Sequence, residues 1–153
     1  MSRTQKEDLA YGEEKERQIH PRLERWLGVP LEKLSKYHTM DWRELPSDEQ
    51  PPWWLELKAR KFSYEFCEKN YRHNGEPTVV IGKHKIDFVR YNGGNGIILI
   101  DFTDRLMYWV VDEKEFETFA VQKEYVRNAR IDYVDKPADV VHIPLRVLRE
   151  VPM

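Results

Sequence analysis

An α/β fold follows from three features of the chain: a long amphipathic helix at the start, apolar β-rich runs in the middle, and an order of helix, strands, helix, strands. The first helix is expected over about residues 5–27. Thr4-Gln5-Lys6-Glu7 is a capping-box pattern, Leu9, Ile19, Leu23, Trp26 and Leu27 supply apolar positions, and Gly28 with Pro30 marks the stop. Pro21 inside it should kink or divide it. A short polar helical turn is expected near 31–37, then a short strand in HTMDWREL, a loop in PSDEQPP and a second strand in WWLELKAR. Residues 61–76, polar and aromatic without a clear period, read as a long excursion from the sheet. PTVVIG leads into a helix over KHKIDFVRYN, with Ile86, Phe88 and Val89 toward a core and Gly93-Gly94 ending it. GIILIDF, TDR and LMYWVV form a hairpin whose first run suits a central strand covered on both faces. From Asp112 a charged segment leads to VVHIPLRVL, a short strand and then a helical turn starting at Pro144.

Composition narrows the function classes. A chain of 153 residues, 41% hydrophobic, suits one domain over residues 1–153 that buries roughly two-thirds of its unfolded surface. The net charge of −2 does not announce a nucleic-acid binder, but the charge is unevenly spread. Residues 1–55 carry 9 basic and 11 acidic side chains, residues 56–91 carry 8 and 5, and residues 92–153 carry 8 and 11. Only the middle is cationic. One cysteine, Cys67, excludes an internal disulfide, and the five histidines show no zinc-ligand spacing. No apolar run approaches ~18–20 residues and the N-terminus lacks a signal-peptide core, so a soluble, intracellular protein without a membrane partner is expected.

The chemistry concentrates in Glu56-Leu57-Lys58. In a strand, Glu56 and Lys58 share one face while Leu55 and Leu57 share the other. The same acid-x-Lys spacing occurs at Glu13-Glu14-Lys15 and Asp112-Glu113-Lys114, but both lie in highly charged, solvated settings. Near a core, two full charges are costly unless they pair or bind something. One reading is therefore an ion pair on a half-exposed strand. The other brings in Asp41 from the preceding strand: two converging carboxylates suit a hard divalent cation such as Mg²⁺, and a nearby lysine can orient or help deprotonate water.

Asp41, fourteen intervening residues and then Glu56-Leu57-Lys58 resemble the signature of the PD-(D/E)XK nucleases, with Met40-Asp41 in place of the nominal Pro-Asp. MDW, LELKAR, PTVVIGKHKID, FTDRLMYW and VHIPLRVL in series are similar to small endonuclease-like proteins of large DNA viruses and phages. The resemblance implies a restriction-endonuclease-like core, a central mixed β-sheet flanked by helices, and metal-dependent hydrolysis of DNA phosphodiesters by nicking, cutting or junction resolution. It implies Asp41 and Glu56 as ligands of Mg²⁺, with Mn²⁺ as substitute, the backbone carbonyl of Leu57 as a third oxygen, and Lys58 as the water-orienting or charge-stabilising partner. Glu16, on the inward stripe with Ile19 and Leu23, is the favoured helical acid, with Glu13 as runner-up. Lys83 or Lys85 is expected to reach the scissile phosphate. Arg60, Lys61, Lys69 and Arg72 would flank the DNA backbone, and Trp42, Trp53, Trp54 or Tyr64 offer either stacking surface or core packing, the commoner role of an aromatic beside a strand. Arg127 and Arg130 would extend the basic track. A homodimer and association with the virion are further expectations by analogy. The rival readings are a catalytically inactive nuclease fold that binds nucleic acid or serves in the virion, and an unrelated α/β interaction protein.

Overall fold

The computed structural model describes residues 4–45, 51–125 and 137–152. Helix α1 (Gln5–Leu27) opens with the expected capping box: Thr4 accepts from the Glu7 amide, Glu7 reaches back to the Thr4 amide, and Gly28 closes the helix at φ 70°. It runs undivided through Pro21. Pro21 is exposed on the same side as Arg17, whose carbonyl is the one left without a partner N–H, so water can satisfy it.

Residues 31–33 depart from expectation. The segment taken for a helical turn is strand β1 (Leu31–Lys33), antiparallel to β2 (Trp42–Glu44), with Lys33 opposite Trp42. Leu31 and Leu34 mimic a helical spacing, but cross-strand pairing decides the outcome. Strand β3 (Trp54–Ala59) follows. The expected excursion contains helix α2 (Tyr64–Asn70), capped by Ser63, and strand β4 (Arg72–His73). Only Cys67 of α2 is buried, which explains its weak periodicity. Strand β5 (Glu76–Gly82) runs into helix α3 (Lys83–Tyr91), which buries Ile86 and Val89. The hairpin is β6 (Gly96–Asp101) with β7 (Leu106–Val110). Helix α4 (Glu113–Phe116), strands β8 (Ala120–Tyr125) and β9 (Ala138–Pro144), a 3₁₀ turn at Leu145–Val147 and strand β10 (Arg149–Glu150) complete the described chain.

The central sheet is mixed, in the order β1-β2-β3-β6-β7-β10, with β3 and β6 parallel and the other neighbours antiparallel. A second, antiparallel sheet has the order β4-β5-β9-β8. The chain between β3 and β6 therefore carries α2, β4, β5 and α3. On one face of the central sheet, Leu55, Leu57, Ile97 and Leu99 pack with Ile19 and Leu23 of α1. On the other, Ile98, Ile100 and Trp109 pack with Ile81, Ile86, Val141 and Ile143. At roughly 25 cal/mol per Å² of buried apolar surface, these two clusters supply the main driving force for folding. β6, apolar and buried from Gly96 to Ile100, is the strand covered on both faces.

Candidate active site

Three segments converge where β3 meets α1 and β2. The Asp41 amide donates to the Leu55 carbonyl at 3.0 Å, and its Oδ2 accepts from the Leu57 amide at 2.8 Å. These bonds pin the carboxylate against β3, one residue from Glu56. On α1, Glu16 sits three residues before buried Ile19, so the face that buries Ile19 and Leu23 also turns Glu16 toward the sheet. Lys33 Nζ lies 3.1 Å from Glu16 Oε1 and 4.0 Å from Asp41 Oδ1, bridging the two acids.

Glu56 is only 2% exposed. Lys85 Nζ stands 2.9 Å from its Oε2 as an ion pair, and nothing else among the described residues reaches that buried oxygen. The Lys85 ammonium also donates to the Thr39 carbonyl. Burial pushes Glu56 up to about 8; Lys58 opposes this and the Asp41 carboxylate adds to it. Burial, reinforced by Asp41, pushes Glu16 up to about 7. Burial also works against ionised Asp41, but hydrogen bonds from Glu56, Glu16 and the Leu57 amide outweigh it and hold its carboxyl below the ordinary aspartate range. Lys58 is pulled down by burial, against the pull of Glu56. The cluster thus keeps one firmly ionised carboxylate, two carboxyls that retain protons near neutrality, and an ammonium that releases its proton more readily than usual.

The site opens into a cavity of about 1190 Å³, larger than the ~300–1,000 Å³ usual for small ligands and suited to a polymer. Asp41, Glu56, Leu57 and Lys58 line it, with Glu16 on the α1 wall. Among the described residues, no three His, Cys, Asp or Glu side chains are disposed to hold a metal ion. The donor set is the Asp41 carboxylate and Glu56, which would give up its proton to a bound cation, beside the main chain of Leu57. All are oxygen donors suited to a hard cation, and the buried Glu56 Oε2, met only by the Lys85 ammonium, is the atom such an ion would engage in place of Lys85. In this respect the residues fit Mg²⁺ or Mn²⁺.

A family model described as "Phage putative PDDEXK endonuclease" matches residues 1–151. The chain belongs to that family. No curated protein and no solved structure matches it. The match spans both sheets, and the mixed central sheet with its four helices is the restriction-endonuclease-like core of this PDDEXK protein. No described helix is long and apolar enough to cross a membrane.

The remaining candidates of this PDDEXK family member separate into groups. Arg60 and Lys61 line the cavity; Arg60 Nη2 donates to the Val80 carbonyl at 2.6 Å, and Lys61 sits 3.6 Å from Asp8 and over the Tyr11 ring. Lys85 also lines it, engaged with Glu56. Lys83 does not line it, and pairs with Asp87 at 2.7 Å one turn along α3. Lys69, paired with Glu65, also stays outside. Glu13 lines the cavity as an exposed side chain, away from the acid cluster that Glu16 joins. Of the two roles open to the aromatics, the structure shows packing. Trp42 is fully buried and donates to His20 Nδ1; Trp54 is buried against His38 and Phe88; Trp53 and Tyr64 are partly buried core neighbours. None of the four lines the cavity, because large aromatics beside a strand recover more from packing than from exposure. Arg127 and Arg130 lie outside the described residues.

Lys33 is the site residue that sequence reasoning missed. Its signal is the antiparallel register that sets Lys33 opposite Trp42 and hence beside Asp41, legible only once 31–33 is read as a strand.

Proposed function

We propose that the protein is a metal-dependent endonuclease that hydrolyses phosphodiester bonds of DNA. The observation that carries this reading is the convergence of Asp41, Glu56 and Lys58 in one cleft, with the Asp41 carboxylate bonded to the Leu57 amide between the other two residues. Asp41 and Glu56 would hold the ion, with the Leu57 carbonyl as third oxygen. When bound, a divalent cation of the Mg²⁺ class supplies charge neutralisation at the phosphate and a more acidic water. Lys58, on the same side of β3 as Glu56, orients the attacking water; burial lowers its proton affinity, which makes the neutral amine, the form that can accept a proton, more available than in an exposed lysine. Hydrolysis adds the water across one P–O ester bond, with hydroxyl to phosphorus and proton to the leaving oxygen. Arg60 and Lys61 bind the flanking phosphates, and Glu16 steadies Asp41 through Lys33.

The test is cleavage of supercoiled and branched DNA with Mg²⁺ or Mn²⁺. Glu56→Ala and Lys58→Ala should each lower the rate by about 10²-fold or more, the scale of removing one charge-stabilising group. A second reading has its own observation: Lys85 already stands against Glu56, and Lys33 against Glu16 and Asp41, as if to neutralise acids that hold no ion. Salt-sensitive DNA binding with no cleavage by the native protein would favour that non-catalytic reading.

A further inference from the structure

Beyond the acid cluster, the chain that leaves β3 leads to an aromatic surface that the proposed chemistry does not use. Glu56, Lys58, Arg60 and Phe62 are spaced two residues apart. Six residues of extended chain at ~3.3 Å each place Phe62 at most roughly 20 Å from Glu56. Phe62 is anchored on Phe102 with ring centroids 6.2 Å apart, and Tyr71 stacks on it at 4.8 Å and 29°. Phe66 stands 6.0 Å from the Tyr71 ring. Phe66 is 48% exposed and Tyr71 47% exposed. Phe62 and Tyr71 line the same cavity as Asp41 and Glu56, and so does Arg72. Arg72 is exposed, its guanidinium donates only to main-chain carbonyls, of Glu68 and Gly75, and no described carboxylate pairs with it.

Half-exposed aromatics joined to a cationic cleft offer π-faces beside phosphate-binding charge. In duplex DNA the base faces are already stacked on one another; unpaired bases present theirs freely, and each gains from an aromatic platform. We infer that Phe62, Phe66 and Tyr71 form a shelf that stacks unpaired bases of single-stranded DNA, with Arg72 holding the adjoining phosphates, so that the preferred substrate carries a single-stranded arm. This rests on the DNA-nuclease reading for its ligand, but its test is a binding measurement that needs no catalysis.

The measurement is fluorescence anisotropy without divalent metal, using Glu56→Gln protein and three labelled DNAs: a blunt duplex, the same duplex with a single-stranded arm, and oligo-dT. The armed duplex and oligo-dT should bind about 10-fold more tightly than the blunt duplex. Phe66→Ala/Tyr71→Ala should lose about 10-fold on the armed DNA and little on the blunt duplex, the scale of one or two base stacks. Tyr71→Phe should keep the preference. If the double variant fails to fold, 2-aminopurine placed along the arm decides in the Glu56→Gln protein, since stacking quenches it. Equal affinity for armed and blunt DNA, equal loss on both, or unquenched 2-aminopurine would overturn the shelf. Arm preference without any cleavage by native protein would leave the shelf standing and count against the nuclease reading alone. Plasmid cleavage without arm preference would remove only the shelf.

Discussion

Strands β3 and β6 run side by side in parallel register, yet β3 places Glu56 and Lys58 where β6 places Ile98 and Ile100. Neighbouring residues in such a ladder point to the same side, so one face of the sheet changes from apolar to charged over a single strand spacing. Ile98 and Ile100 are covered by Ile81, Ile86, Val141 and Ile143 from the second sheet and α3. Over β3 that cover gives way to the cleft. On the opposite face the two strands agree: Leu55 and Leu57 sit beside Ile97 and Leu99 in one cluster. The comparison teaches that the fold does not require the β3 charges. Its core is complete without them, and burying them raises Glu56 and lowers Lys58 away from their charged forms. On the nuclease reading proposed above they are held for chemistry, at the expense of stability.

The strongest way to break that comparison is to make β3 resemble β6. Glu56→Ile with Lys58→Ile should abolish DNA cleavage. Because a buried ion pair replaced by apolar side chains is often neutral or stabilising, metal-free protein should gain up to about 4 kcal/mol in urea unfolding. A clear loss of stability would show that the charges belong to the core after all.

A second test attacks the covered half. A Cβ on Gly96, the first residue of β6, would stand 2.5 Å from Val89 Cγ1 of α3, a position where the side chain must shift. Gly96→Ala should cost about 1–3 kcal/mol through overpacking, while cleavage per folded molecule stays unchanged. An equal loss of cleavage at full folding would mean that the α3 cover and the charged face act as one unit.

The smallest effect is a pH dependence of the metal-free protein. Glu56 and Glu16 have proton affinities raised from the ordinary glutamate value of 4.5 to about 8 and about 7. The folded state therefore binds more protons than the unfolded chain between those limits, and stability falls as pH rises through the window. Asp41 is shifted the opposite way, so its contribution is lost only as pH falls below the ordinary aspartate value. The stability of native protein relative to Glu56→Gln should fall from about pH 5 to about pH 8, and Mg²⁺ should flatten the fall; taking the difference removes His84 and His142, whose proton affinities burial lowers and whose contributions run the opposite way. A difference that grows in favour of the native protein over this range would count against the buried acid cluster.

How much of this was legible in the sequence depended on range. The α1 capping box, the Gly28 stop, the β6–β7 hairpin and the inward phase of Glu16 are local patterns, and each appears in the structure where the residues indicate. β1 is not legible locally, because Leu31, Glu32 and Lys33 have no strand signal of their own; they become a strand by pairing with β2. The same tertiary pairing sets Lys33 between Glu16 and Asp41, which no spacing rule reveals. For Trp42 and Trp54 the choice between stacking surface and core stays open in the sequence, which shows that a residue is aromatic and not which side of the sheet it faces. Lys85 and Lys83 differ by two positions on α3, yet one reaches Glu56 across the cleft and the other folds back on Asp87.

The central claim is that Asp41 and Glu56 share one divalent ion. Its most direct test is a crystal structure at saturating Mn²⁺, read by anomalous scattering. The account predicts a single strong peak in contact with both carboxylates, at about 2.0–2.3 Å as for a hard cation, and Lys85 Nζ moved away from its 2.9 Å approach to Glu56. Lys85 still seated on Glu56, with no peak between the two acids, would contradict it.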